Sequence, residues 1–194
     1  MMRFLSRPNA LKSMAASPIS LSLPLAADAA SGRIRARTED GRWTRLRRVV
    51  TSVDSADKSV VIADCESSNS FELNGTRIVR LWETPSVPAK LPLLINDAGV
   101  TAANAYRSGF KGTSFYVAEL PGGIRSPAIL MHHNLTVDYI AVLSGRIIFK
   151  LEDREIELAS GDTLVQGGNE HTWINRWNDP CMLLFVVITA EHLT

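Results

Sequence analysis

The stretch Met131-His132-His133-Asn134-Leu135-Thr136-Val137-Asp138-Tyr139, read with Gly161-Asp162-Thr163-Leu164-Val165-Gln166-Gly167-Gly168-Asn169-Glu170-His171-Thr172-Trp173-Ile174-Asn175, holds three of the four histidines. On an extended strand successive side chains alternate between faces, so His132, Asn134, Thr136 and Asp138 point one way and His133 the other. The same alternation places His171, Trp173 and Asn175 on one face of the second window. If the two windows are neighbouring strands of a small barrel, His132, Asp138 and His171 converge on one interior point. Two imidazoles and one carboxylate are the set that holds non-heme Fe(II) with open coordination positions, and Zn, Mn and Ni accept it too.

Working outward, turn signals recur every few residues. An apolar run over 139–143 ends at Ser144-Gly145, a β-rich run covers 146–151, and a short strand follows over 155–158. Ser160-Gly161-Asp162 opens a strand that continues to Gln166, Gly167-Gly168 breaks it, and Asn178-Asp179-Pro180 separates 171–175 from the run 181–189. Many short strands without a helical period predict an all-β fold, an antiparallel barrel or jelly roll. Upstream, 46–53 and 59–64 read as a hairpin about the turn 54–58, and 76–84 as a further strand. The basic pair Arg47-Arg48 reads as a solvated edge that discourages aggregation. Residues 85–112 are irregular and proline- and glycine-rich, suited to a lid or to covering a partner's edge.

These residues resemble the two motifs of the cupin superfamily. His132, Asn134, Asp138 and Gly145 stand for the first, and Gly161, Asp162, Gly168, His171 and Asn175 for the second, which is one residue shorter here and lacks its proline. The chain is more closely similar to a subgroup of small single-cupin proteins, matching it at Met131, His132, Thr136, Asp138 and Tyr139 and again at Gly161, Asp162, Gln166, Gly168, His171, Trp173 and Asn175. The likeness covers about residues 113–190. It implies a cupin-type double-stranded β-helix over 113–194, with N-terminal strands and a loop over 45–112 packing on the barrel and an extension over 1–44. Members of the subgroup are often encoded beside polyketide pathways, which implies chemistry on a small phenolic or polyketide-like skeleton. Two departures stand out: Asn134 occupies the place of the superfamily's second histidine, and His133 the place of the subgroup's arginine. His133 would turn inward only through a bulge, and the register that points His132 inward also directs Asp138 there.

The site expected from this reading has His132, Asp138 and His171 as metal ligands, Asp138 and Tyr139 as catalytic residues, and Asn134, Phe149, Trp173 and Phe185 around the substrate. The cofactor is a divalent metal, Fe(II) first and Zn, Mn or Ni next. Plain structural roles stand beside these: Asn175 as a hydrogen-bonder, Tyr139 and Trp173 as packing, Phe149 and Phe185 as core. Three functions follow. An oxidoreductase would bind substrate oxygen, with or without dioxygen, at the metal's open positions; a dehydratase, isomerase or decarboxylase would use the metal as a Lewis acid; a non-catalytic barrel would only bind a small ligand.

Composition agrees with one modest domain. The 194 residues are 45% hydrophobic, and 21 Lys plus Arg against 20 Asp plus Glu provide no basic field for nucleic acid. Cys65 and Cys181 make no disulfide framework, which fits a cytoplasmic protein. No apolar run reaches the length of a membrane span; the longest, 182–188, has strand character and is apolar at consecutive positions, which predicts burial on both faces and a homodimer with strands from 45–84 at or beside the interface. Residues 1–27 carry Arg3, Arg7 and Lys12 without an acid, a pattern read either as a mitochondrial presequence or as a disordered extension.

Overall fold

The computed structural model describes residues 46–67, 69–93, 110–123 and 130–192, all within one compact unit, Arg35–Thr194. Among the described residues the chain forms eleven strands and no helix: β1 (Arg47–Val53), β2 (Ser59–Glu66), β3 (Ser70–Leu73), β4 (Thr76–Thr84), β5 (Thr113–Leu120), β6 (Thr136–Ser144), β7 (Arg146–Lys150), β8 (Glu155–Ala159), β9 (Thr163–Gln166), β10 (Thr172–Ile174) and β11 (Cys181–Thr189). The all-β antiparallel fold expected from the sequence is present. The expected presequence or extension, and residues 94–109 of the expected lid, lie outside the described residues. No helix among the described residues is long and apolar enough to cross a membrane.

Among the described residues the strands pair antiparallel in three sheets ordered β3-β4-β5-β11-β6-β9, β10-β7-β8 and β1-β2. Alternation sets the layers. In β6, Asp138, Ile140 and Val142 are buried while Tyr139 and Leu143 face out; in β11, Cys181, Leu183, Phe185 and Val187 are buried while Leu184 and Val186 are half-buried. The inward sets of the larger sheet meet Ile147, Phe149 and Leu158 from β7 and β8 in one core, as in a sandwich whose two inner faces interdigitate.

Strand β4 hydrogen-bonds along β5 and so belongs to the main sheet, and one sequence expectation, the solvated pair Arg47-Arg48, is revised. A strand's own pattern gives its faces but not its neighbour. Arg47 and Arg48 part company. Arg47 is exposed and bonds Asp64 through two nitrogens at 2.5 and 2.6 Å. Arg48 is buried, its Nη1 donating to Leu81 O at 2.9 Å, where Leu46 packs on Leu81, Val117 and Met182.

Gly145 turns the chain from β6 into β7 at φ 81°, and a Cβ there would lie 2.5 Å from Pro180 O. Gly145→Ala is expected to lose about 1–2 kcal/mol from the left-handed backbone alone, with a further cost for displacing that carbonyl. Chemical denaturation checks it; a stability equal to that of the parent would contradict the turn geometry.

Candidate functional site

His132 lies outside β6, in an isolated antiparallel bridge to His171. Each residue's N–H donates to the other's carbonyl, at 3.0 and 2.9 Å, and the two imidazoles meet at a tilt of 45° with centroids 4.5 Å apart. Gly168 lets the strands approach: at φ 77° its missing Cβ would sit 3.0 Å from Asn134 O. Further along, β6 sets Asp138 opposite Gln166 of β9. His132, Asn134, Asp138 and His171 all line one cavity of about 230 Å³. Its remaining walls are largely apolar, including Ile78, Tyr116, Ala118, Leu120, Trp173 and Phe185. The Tyr116 and Phe185 rings stack at 4.9 Å with planes 10° apart, and Trp173 meets Phe185 edge-on at 6.1 Å.

Hydrogen bonding fixes the imidazoles. His132 Nδ1 lies 3.0 Å from Leu130 O and His171 Nδ1 2.9 Å from Asn169 O. A carbonyl only accepts, so each Nδ1 carries a hydrogen. Burial lowers the pKa of His171, with the nearby His132 adding to the fall while the Asn169 hydrogen bond and Glu170 oppose it; the ring is therefore neutral at pH 7. Burial raises the pKa of Asp138, opposed by the Thr136 hydroxyl and by His132. Asp138 is 6% exposed, and its Oδ1 has no hydrogen-bond partner among the described residues. A buried acceptor in that condition costs about 1–3 kcal/mol, so it is poised for a donor that enters the cavity.

The sequence-derived residues separate into groups. Asn134, Trp173 and Phe185 line the cavity, and His133 points outward to bond Glu170 at 2.7 Å. Phe149 is buried behind the wall, 5.3 Å from the His171 ring and 4.8 Å from Trp173; it supports the site without lining the cavity. Tyr139 is corrected: it is 50% exposed on the outer face of β6, because the alternation that brings Asp138 inward turns its neighbour away. Asn175 is buried, its Nδ2 donating to Asp179 O at 3.0 Å and its Oδ1 accepting from Trp177 N at 3.2 Å, the structural role considered for it.

Residues 115–187 match the cupin domain family Cupin_2. That match spans β5 to β11, and the all-β fold agrees with it. Among solved structures the chain is similar to the Cnp3 cupin domain of Schizosaccharomyces pombe, at 11% identity over 74% of this chain and 87% of that one, with a TM-score of 0.43. It is also similar to a cupin-superfamily sugar phosphate isomerase from Silicibacter pomeroyi, at 20% identity over 60% and 61% of the two chains with a TM-score of 0.40. A third is an ectoine synthase from P. lautus, at 10% identity over 63% and 70% with a TM-score of 0.41. No curated protein matches the sequence.

The three expected metal ligands, His132, Asp138 and His171, all line this cavity. The donor types suit a divalent ion, and both imidazoles have Nδ1 tied to a backbone carbonyl, the arrangement that orients Nε2 as a ligand. Among the described residues, however, no three His, Cys, Asp or Glu side chains gather closely enough to hold one ion. The histidines are brought together by their own bridge, whereas Asp138 is placed by the β6–β9 register. Sequence reasoning missed Tyr116 and Ile78. Their inward alternation on β5 and β4 was available as a signal, but not the pairing that brings those strands to the cavity.

Proposed function

We propose that this cupin is an enzyme acting on a small, largely apolar molecule that carries oxygen, and that its chemistry is proton transfer, as in an isomerase, dehydratase or decarboxylase. The observation that carries this reading is Asp138 Oδ1, buried and unpartnered in a cavity otherwise walled by aromatic and aliphatic side chains. Tyr116, Trp173 and Phe185 enclose the carbon skeleton and exclude water. Asp138 exchanges a proton with the substrate, and the lone pair of His171 Nε2 accepts a hydrogen bond from a substrate hydroxyl. Asn134 supplies a neutral amide to the substrate's oxygen. The test is calorimetric titration with phenols and small keto- and hydroxy-acids, followed by proton–deuterium exchange of any binder. Enzyme-dependent exchange is expected, and the absence of any binder across the panel overturns the reading.

A second reading has one observation in its favour, the pair of carbonyl-anchored imidazoles. His132 and His171, with Asp138, would hold a divalent metal, Fe(II) first, which when bound supplies Lewis-acid or redox chemistry to a phenolic or polyketide-like substrate of secondary metabolism. Elemental analysis of purified protein and oxygen uptake with phenols distinguish it.

The homodimer is carried into the proposal by the outer face of the main sheet. Phe115, Val186, Tyr139 and Val165 are cross-strand neighbours in one row, with Phe115, Tyr139 and Val165 exposed by 36, 50 and 67%. The row has no charge, and a two-fold axis pairs it with itself in a second copy. Light scattering is expected to give a dimer mass for the parent and a monomer mass for Val165→Glu; a monomeric parent at micromolar concentration overturns this.

A further inference from the structure

Gln166 closes β9 and is 1% exposed. Its Nε2 donates to Asn169 O at 3.2 Å, the same carbonyl that accepts His171 Nδ1–H at 2.9 Å, and the two nitrogens approach within 3.3 Å. Both carry hydrogens, so the approach is two donors converging on one acceptor rather than a bond between them. The carbonyl belongs to the link Gly167-Gly168-Asn169-Glu170, which runs between β9 and the His171 bridge without strand pairing of its own. Two glycines give that link a wide choice of backbone conformations. The Gln166 carboxamide is thus a buried tie on the carbonyl that sets the imidazole's tautomer.

The same side chain faces the other half of the site. Its Cα is the register partner of Asp138, and directly opposed side chains on antiparallel strands stand about 4.5–5.5 Å apart at Cβ. Gln166 therefore sits between the two groups assigned to substrate, though it does not itself line the cavity.

We propose that Gln166 is a positioning residue that acts through the Asn169 carbonyl to hold His171 as the Nδ1–H tautomer, leaving the Nε2 lone pair for the ligand. The inference rests on the proton-transfer reading for its consequence in binding, but its structural core is tested without substrate. Two-bond proton–nitrogen correlation spectra of protein labelled with [15N]histidine show which ring nitrogen of His171 carries the hydrogen. The parent is expected to show Nδ1 protonated and Nε2 bare. Gln166→Met keeps the length of the side chain and removes the tie; it is expected to show a mixture of the two tautomers and roughly tenfold weaker binding of a phenol that the parent binds. An unchanged His171 spectrum overturns the proposal. A changed spectrum with unchanged phenol affinity supports the positioning role and counts against the substrate role of Nε2. Should Gln166→Met fail to fold, Gln166→Asn keeps the carboxamide but falls short by one methylene, and the same spectral outcomes decide.

Discussion

Asp138→Asn is expected to fold normally, to be at least as stable as the parent at pH 7, and to lose on the order of 10²-fold or more in turnover. The substitution keeps the shape of the side chain and removes the group that exchanges a proton. Stability follows from the same burial. A carboxyl whose pKa is raised in the fold binds its proton more tightly there than in the unfolded chain. Its contribution is therefore full below the ordinary value of 3.8 and declines as pH rises through the folded value. The amide has no such decline, so the variant should gain on the parent as pH rises above about 3.8. Denaturation at a series of pH values reads this difference directly, and a constant gap between the two proteins would show that Asp138 is not held against its charge. A metal titration separates the two functional readings: affinity lower by roughly 10–100-fold favours the metal centre, and unchanged affinity counts against it.

His171→Ala combines a functional loss with a structural one. The ring is 4% exposed and packs on His132 at 4.5 Å and Phe149 at 5.3 Å. Its removal is expected to cost about 2–4 kcal/mol by analogy with aromatic truncations, together with most of the ligand or metal binding. His132→Ala should lose binding with a smaller structural penalty, since that ring is only half-buried. His133→Ala is the control: its side chain is 63% exposed, and its pair with Glu170 at 2.7 Å is of the surface kind worth less than about 1 kcal/mol. Calorimetry with a panel binder, elemental analysis and thermal melts read all three. Binding retained in both the 132 and 171 variants would remove the histidine pair from the site.

Much of the cavity was legible from local pattern. The period of two placed His132, Asn134 and Asp138 inward and His133 outward, and turn signals marked off the runs 139–143, 146–151 and 181–189, which overlap β6, β7 and β11. Applied one residue further it would have excluded Tyr139, whose match to a family motif outweighed the alternation that already turned it to the surface. The buried Arg48 shows a different limit, because its partner, Leu81 O, lies 33 residues away.

Face alternation, turn chemistry and motif spacing are properties of a few consecutive residues, and so the strands, their inward side chains and the cupin resemblance could be read before any coordinates. Partnership between strands is not such a property. That β4 joins β5 and brings Ile78 and Tyr116 to the cavity depends on which sheet edges meet once the chain has collapsed. The same holds for the distance between His132, His171 and Asp138: composition supplied two imidazoles and a carboxylate, but a two-residue bridge gathers the first two and a separate register places the third. Donor type is written along the chain, whereas donor spacing is an outcome of packing.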